Sequence, residues 1–278
     1  PLRHVAGLMQ VVRAAVSQGD VRFGDYRDLA EPKLSAGLVE DRYVSLVPTQ
    51  FSRLLASPTA LQRLHAATAI FVGGGPLHRE LAERARAADL PIAPTYGMTE
   101  TAGMVTFLPP ELFLAGRNGV GTVLPEVKLK CNDDGALRVR ASGLCLGYHD
   151  RDFEKEAWFQ TADAGFWDEH GSLHIEGRRD RLVNSGGVKV DPAKVERAII
   201  DAGLAESCLV AGIPDPDWGE RLVAFCVPTS VDPATVDAAL SARLDSVELP
   251  KLILSVEHLP CDELGKPNVA AMLEAVSS

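Results

Sequence analysis

The stretch Thr95-Tyr96-Gly97-Met98-Thr99-Glu100-Thr101 decides how this chain is understood, and it follows a short apolar run broken by prolines, Leu90-Pro91-Ile92-Ala93-Pro94. The run predicts the end of a buried strand. Gly97 allows a sharp turn and a close approach of a ligand to the backbone. The hydroxyls and the carboxylate that follow suit phosphate oxygens and a magnesium ion. On these residues alone, an ordinary strand-to-loop turn capped by a threonine remains the alternative.

The bulk composition describes a globular, acidic protein. The chain has 278 residues, enough for one large or two ordinary domains, and a hydrophobic fraction of 46%. Its net charge of −10 lacks the basic excess of a nucleic-acid-binding surface. No apolar run is long enough to span a membrane. We therefore expect neither a nucleic-acid partner nor a membrane span, and nothing in the sequence decides between a monomer and a homodimer.

Cysteine usage points to a reducing compartment. The five cysteines lie far apart, and none forms a CxxC pair (Cys131, Cys145, Cys208, Cys226 and Cys261). That spacing argues against a zinc site and against a disulfide framework. We expect mostly buried thiols and a cytoplasmic protein.

Three further motifs follow the opening stretch: Thr161-Ala162-Asp163, Gly177-Arg178-Arg179-Asp180 and Gly265-Lys266. In this order, together with Tyr96-Gly97-Met98-Thr99-Glu100, they resemble the motifs of the adenylate-forming family, which comprises acyl-CoA synthetases, luciferases and adenylation domains. The resemblance covers nearly the whole chain. It implies an AMP-forming acid–thiol ligase that uses ATP, Mg²⁺ and coenzyme A. One departure is mild, since Ala162 stands where the family has glycine.

The resemblance also implies roles for single residues. Glu100 would hold the metal and Thr99 the phosphate, and Lys266 would stabilise charge during adenylation. The strand–glycine-turn–helix segment Ala69 to Leu81, with Pro76 expected at the start of the helix, would supply the adenine loop. The remaining assignments are nucleotide binding by Gly73, Gly74, Gly75, Tyr96, Gly97, Asp163 and Arg178, a hinge at Asp180, and a flexible loop facing the coenzyme A path at Ser185, Gly186 and Gly187.

The segments near the expected acyl pocket point to one subfamily. Val5, Leu8, Met9, Val12 and Val16 recur at helical spacing and predict an amphipathic helix. By resemblance, His4 belongs to a segment that lines the acyl pocket. Val47-Pro48-Thr49-Gln50 is similar to a segment of o-succinylbenzoate–CoA ligases of menaquinone biosynthesis, which assigns Thr49 to the substrate. Arg13 is either a surface arginine or a fork for a second substrate carboxylate.

We expect a mixed α/β fold in two parts. An incomplete large domain with a β-rich subdomain would span residues 1–179, and a small, mobile α+β domain would span residues 180–278.

Two questions stay open on the sequence. Nothing in the chain matches the family's Ser/Thr/Gly-rich phosphate loop with its lysine, so we expect a truncated large domain whose turnover of ATP is undecided. The alternatives to an o-succinylbenzoate ligase are a synthetase for another aryl or fatty acid and a non-catalytic module that binds a nucleotide or acyl-adenylate. A carrier-protein adenylation domain is disfavoured, because no phosphopantetheine attachment segment follows within the chain.

Overall fold

The computed structural model describes residues 2, 5–33, 39–154, 157–227, 238–259, 268, 269, 271, 272 and 274, and all structural statements concern these. The chain divides into two compact units. Unit 1 comprises Pro1–Thr161 and Gly165–Ile175, and unit 2 comprises Ala162–Ala164 and Glu176–Ser278. The predicted domain boundary between residues 179 and 180 stays a prediction. No helix of the described part has the length and apolar character needed to cross a bilayer.

Unit 1 is built on a five-stranded sheet. Its strands, in spatial order, are β1 (Tyr43–Leu46), β2 (Ala69–Val72), β3 (Ile92–Met98), β4 (Gly103–Phe107) and β5 (Thr122–Val123). The first three run parallel, and β4 and β5 continue the sheet antiparallel. The apolar run before the opening stretch therefore lies in a central strand, but at its start and not at its end, since β3 begins at Ile92 and continues to Met98.

Helices accompany this sheet, and all but the first supply buried residues to its core. They are α1 (Val5–Ser17), α2 (Pro48–Leu54), α3 (Pro58–His65), α4 (Arg79–Ala87) and α5 (Pro110–Leu114). Phe51 and Leu64 are fully buried with Ile70 and Ile92 of the strands. Burying such side chains contributes about 1.5–3 kcal/mol each, and this packing fixes where the strands end.

Two helices differ from the sequence expectation. The predicted helix α1 is present, but none of its residues is buried, and Val16 is 81% exposed. Periodicity predicts an apolar face without telling what covers it. The helix after the glycine turn begins at Arg79 and not at Pro76, because the chain is still extended at His78, with φ −63° and ψ 151°.

A second sheet follows the first. In chain order its elements are β6 (Lys128–Cys131), β7 (Ala136–Arg140), β10 (Phe159–Trp167) and β11 (Leu173–Arg178), arranged as β11-β10-β7-β6. A separate hairpin lies between β7 and β10 in the sequence, with strands β8 (Gly147–Tyr148) and β9 (Arg151–Asp152). The β-rich part predicted from turn residues is therefore present.

Unit 2 carries the third sheet. Its strands are β12 (Val183–Ser185), β13 (Val188–Val190), β14 (Ser207–Asp215), β15 (Gly219–Val227) and β16 (Leu252–Ser255), and one helix, α6 (Pro192–Asp201), is capped by the side chain of Asp191. The order is β13-β12-β15-β14, with β16 parallel to β15. Val195, Val210 and Leu222 lie in its core. The mixed α/β fold class is confirmed.

Candidate active site

The predicted nucleotide residues of unit 1 meet at one edge of the first sheet. Strands β1, β2 and β3 are parallel, so their carboxyl ends share that edge, the usual place for ligands in open α/β sheets. A Cβ on Gly73 would lie 2.2 Å from the Thr95 Oγ1, and a Cβ on Gly75 would lie 3.6 Å from the Pro48 Cδ. The glycine loop, the segment that starts α2 at Pro48 and Thr49, and the end of β3 therefore lie close together.

Backbone packing shapes the turn after β3. The register between β3 and β4 shifts at Tyr96 and Gly97, which marks a β-bulge. A Cβ on Gly97 would lie 2.1 Å from the Gly103 carbonyl oxygen, closer than real Cβ atoms approach. Ala102 takes the left-handed conformation with φ 53°. Only glycine fits position 97, because the opposing atoms are backbone.

Thr101 holds this turn from inside. Its side chain is 6% exposed, and its hydroxyl donates to the Gly103 carbonyl at 2.8 Å while accepting the Met98 N–H at 3.2 Å. The sequence pattern assigns no role to Thr101. Its hydroxyl satisfies buried backbone groups where the ladder is broken, and only the structure reveals that use.

Glu100 projects from the short 3₁₀ turn Thr99–Thr101, where Thr99 is exposed and Glu100 half-buried. The Cys145 N–H donates to the Glu100 backbone carbonyl at 2.7 Å. The Tyr148 hydroxyl donates to the Glu100 Oε1 at 2.8 Å. No motif or periodicity points to Tyr148, which lies 48 residues further along the chain.

Arg13 reaches the same turn from α1. A Cβ on Gly103 would lie 3.4 Å from the Arg13 Nη2, so the guanidinium lies against the backbone that follows the 3₁₀ turn. The side chain is half-buried, and desolvation lowers the pKa of its guanidinium. None of the ion pairs or hydrogen bonds among the described residues involves Arg13. A half-buried cation without a carboxylate partner is suited to an anionic ligand.

Asp163, Arg178 and Asp180 all belong to unit 2. Asp163 lies within β10, and Arg178 ends the adjacent strand β11. Arg178 donates to both carboxylate oxygens of Asp180, with a Nε to Oδ1 distance of 2.8 Å. This pairing lowers the pKa of the Asp180 carboxyl. The predicted nucleotide-binding residue Arg178 and the predicted hinge residue Asp180 are thus directly hydrogen-bonded to each other.

The segment Ser185, Gly186 and Gly187, expected to be a flexible loop, is a two-residue hairpin turn, and its place on the coenzyme A path stays a prediction. Ser185 ends β12 and is fully buried, and Ser185 pairs with Val188, so the two glycines form a two-residue hairpin turn. Both have positive φ, 59° and 82°, as such turns require. The Gly186 N–H donates to the Trp218 carbonyl at 2.8 Å. A glycine pair predicts flexibility only where nothing packs against it.

Two of the predicted site residues, His4 and Lys266, lie outside the described residues. The described residues contain no group of three or more His, Cys, Asp or Glu able to hold a metal ion. Magnesium in proteins is usually bound through one or two carboxylates together with substrate phosphates and waters. Glu100 fits that mode, since its Oε1 takes one hydrogen bond and its carboxylate keeps further lone pairs.

Two family profiles match the chain. The AMP-binding enzyme profile matches residues 1–149, and the profile for the C-terminal domain of AMP-binding enzymes matches residues 194–266.

Named relatives agree with the profiles. The chain is 31% identical over 274 residues to the 2-succinylbenzoate–CoA ligase of Listeria monocytogenes, covering 96% of this chain and 58% of that protein. It therefore spans a little over half the length of that relative. The o-succinylbenzoate CoA synthetase of Bacillus subtilis bound to the acyl-adenylate OSB-AMP superposes with a TM-score of 0.78 at 26% identity, over 96% of this chain and 58% of that one. The same Bacillus protein with ATP and a magnesium ion gives 0.77 at 25%, with the same coverage.

Proposed function

This chain belongs to the AMP-binding enzyme family, and from that premise we propose that it activates o-succinylbenzoate with ATP and transfers the acyl group to coenzyme A. The proposal concerns the activity of relatives of whose length this chain spans a little over half. It rests on the agreement between the relatives' activity and the edge of the first sheet, where the predicted nucleotide residues lie together.

Arg13 is the observation that carries the choice of acid. o-Succinylbenzoate keeps a second carboxylate after the first is activated. That carboxylate needs a cation near the acyl pocket, because an unpaired charge in a partly dry site is costly. Arg13 is half-buried, lies against the backbone at Gly103, and has no carboxylate partner among the described residues. A monocarboxylic aryl or fatty acid has no second carboxylate to pair with this guanidinium.

The turn and the glycine loop would hold the nucleotide. Gly73, Gly74 and Gly75 offer bare backbone to the flat face of adenine, and Gly97 keeps Cβ atoms away from the same edge. Thr99 is exposed and would donate its hydroxyl to a phosphate oxygen. Glu100 would hold Mg²⁺. The metal, when bound, neutralises charge on the phosphates.

Further roles are proposed for residues of unit 2. Asp163 can accept two hydrogen bonds from vicinal ribose hydroxyls, and Arg178 would lie near the ribose and phosphate. Asp180 would serve as the pivot between the two half-reactions. Lys266 would place its ammonium beside the carboxylate and α-phosphate during adenylation, where electrostatic stabilisation is largest once water is excluded.

The chemistry then divides into two transfers. A carboxylate oxygen of the acid attacks the α-phosphorus of ATP, and the bond to the bridging oxygen breaks to release pyrophosphate. The thiolate of coenzyme A next attacks the acyl carbon, and AMP leaves with its electron pair on the phosphate oxygen. Both steps need positioned charges and no covalent link to the protein. A cytoplasmic location is part of the proposal, supported by four free thiols among the described cysteines.

ATP–pyrophosphate exchange tests the proposal. The protein is incubated with Mg²⁺ and, in separate reactions, o-succinylbenzoate, benzoate and a medium-chain fatty acid, beside a Lys266→Ala variant. We expect exchange with o-succinylbenzoate alone, strongly reduced in the variant. Exchange with benzoate or the fatty acid would mean that this monocarboxylate, and not o-succinylbenzoate, is the substrate. Binding of AMP without any exchange would support the alternative, a nucleotide-binding module without adenylation activity.

A further inference from the structure

The loop that leads into the β8–β9 hairpin braces the Glu100 segment at two atoms. The Cys145 N–H donates to the Glu100 backbone carbonyl at 2.7 Å, and the Tyr148 hydroxyl donates to the Glu100 Oε1 at 2.8 Å. Gly143, at the start of this loop, comes within ordinary contact distance, its ideal Cβ lying 3.6 Å from the Thr101 carbonyl. One neighbouring segment therefore fixes both the main chain and the side chain of Glu100.

Tyr148 is held in place by contacts that do not involve Glu100. It pairs with Arg151 across a two-residue hairpin. Its ring meets Phe153 edge-on, with centroids 5.1 Å apart, and the Arg151 guanidinium lies 5.8 Å from its centroid. Gly147, directly before it, has φ 155° and room for no Cβ beside the Arg151 carbonyl. The hydroxyl is therefore presented to Glu100 by a preformed hairpin.

We propose that Tyr148 is a positioning residue, which orients the Glu100 carboxylate so that its Oε2 faces the metal that accompanies the nucleotide. This inference rests on the proposed function, because it takes Glu100 as the metal ligand. A glutamate on a turn has three rotatable side-chain bonds, and one hydrogen bond to Oε1 removes most of that freedom. Partners of this kind around ligating carboxylates usually affect metal affinity by about 10- to 100-fold.

The hydrogen bond also gives the two carboxylate oxygens of Glu100 different roles. An ionised carboxylate has about four lone-pair sites, and a phenol hydroxyl uses one of them at Oε1. Among the described residues, Oε2 has no hydrogen-bond or ion-pair partner, so its lone pairs stay available to a hard cation. Because Tyr148 is 45% exposed, we expect an effect at the low end of the usual range.

The first test compares Tyr148→Phe with Tyr43→Phe. The Tyr148 change keeps the ring and its contacts with Phe153 and Arg151 and removes only the hydroxyl. Tyr43 is 65% exposed and stacks on Phe71, so its hydroxyl provides a matched control far from Glu100 in the sequence. We expect Tyr148→Phe to raise the Mg²⁺ concentration for half-maximal exchange about 10-fold. AMP binding without Mg²⁺ should stay unchanged, as should both measurements in Tyr43→Phe.

The second test needs neither metal nor activity. Urea unfolding of the wild-type chain, Tyr148→Phe, Glu100→Ala and the double variant forms a double-mutant cycle. We expect non-additivity, with Tyr148→Phe lowering the midpoint in the wild-type background and having no effect once Glu100 is alanine.

The outcomes separate the two proposals. Additive midpoints would overturn the contact and with it the positioning role. Non-additive midpoints with an unchanged Mg²⁺ dependence would overturn the positioning role alone. Absence of exchange in the wild-type chain would contradict the proposed function and the metal role together, and the cycle would still decide whether Tyr148 restrains Glu100.

Discussion

Two glycine turns of this protein are predicted to serve the same chemistry, and they are built differently. The turn from Tyr96 to Gly103 in unit 1 packs backbone against backbone, with 2.1 Å between an ideal Cβ on Gly97 and the Gly103 oxygen. At the turn of Gly186 and Gly187 in unit 2, an ideal Cβ on Gly186 would contact only the Trp218 side chain, and an ideal Cβ on Gly187 has nothing within 4 Å.

This difference in packing shows why each turn requires glycine. At Gly97 in unit 1 glycine is required by close approach of backbone atoms, and at Gly187 in unit 2 it is required by positive φ alone. A clash with backbone can be relieved only by moving the sheet, whereas a strained φ costs a fixed, modest amount. Changes in the first turn should therefore damage folding and nucleotide binding together, and changes in the second should damage neither severely.

The largest expected effect is that of Gly97→Ala. The new methyl group must displace the Gly103 carbonyl or break the β3–β4 pairing, which we expect to cost about 3 kcal/mol in the free energy of unfolding. AMP binding should be lost as well. Urea unfolding and calorimetric titration with AMP measure the two effects.

Gly143→Ala is the matched control for that change. Its ideal Cβ would lie 3.6 Å from the Thr101 carbonyl, an ordinary contact distance, and its φ is not in the left-handed region. We expect near wild-type stability and AMP binding. A loss equal to that of Gly97→Ala would mean that the turn does not depend on close backbone packing.

Thr101→Val should have the next largest effect. It removes the hydroxyl that serves the Met98 N–H and the Gly103 carbonyl, leaving both buried groups short of a partner at a cost of about 1–3 kcal/mol. Thr106→Val is the control in the same hairpin, since the Thr106 Oγ1 is buried and has no hydrogen-bond partner among the described residues. That control should be neutral or slightly stabilising. Equal losses in thermal unfolding would contradict the role given to the Thr101 hydroxyl.

Gly187→Ala tests the turn of unit 2. Because φ is 82° and no atom crowds the position, we expect only the cost of a left-handed residue, about 1–2 kcal/mol. Gly187→Asn should recover most of it, since asparagine tolerates this conformation. Urea unfolding of both variants provides the measurement. A loss as large as that of Gly97→Ala in both would remove the contrast between the two turns.

The smallest expected effect is that of Asp180→Ala, whose partner Arg178 is 53% exposed in its side chain. Solvent screening limits such a pair to about 0.2–1 kcal/mol. The Arg178 hydrogen bond lowers the pKa of Asp180, so its stabilisation is present above the ordinary aspartate pKa of about 3.9 and is lost as pH falls through the lower folded value. Unfolding curves of both proteins should therefore converge in acid. A gap that widens as the pH falls would contradict this sign.

Local patterns in the sequence identified the elements that carry the predicted nucleotide residues. The apolar run before Thr95, the glycines after β2 and the proline before Thr49 each mark the end of a parallel strand, and parallel strands bring such ends together. The bulge at Gly97 could also be expected from a glycine within a strand. The roles of these residues in binding stay predictions.

Long-range partners could not be predicted in this way. Nothing near Tyr148 indicates Glu100, because a hydroxyl and a carboxylate separated by 48 residues leave no periodic signal. The hairpin turn after Ser185 was not predicted for a related reason, since the residue that packs on it, Trp218, comes from another hairpin. The exposure of α1 could likewise not be predicted, because the spacing of apolar residues defines one face of a helix but not what packs against that face.

The most direct test of the account is calorimetric binding of two stable sulfamate analogues of an acyl-adenylate, one with an o-succinylbenzoyl group and one with a benzoyl group. The account predicts that the wild-type chain binds the first about 10- to 100-fold more tightly, the range expected for one charge-assisted pair with Arg13. Arg13→Ala should abolish this preference and leave the benzoyl analogue unaffected. Equal affinities in the wild-type chain, or a preference that persists in the variant, would contradict a dicarboxylate acyl-adenylate site at this edge of the sheet.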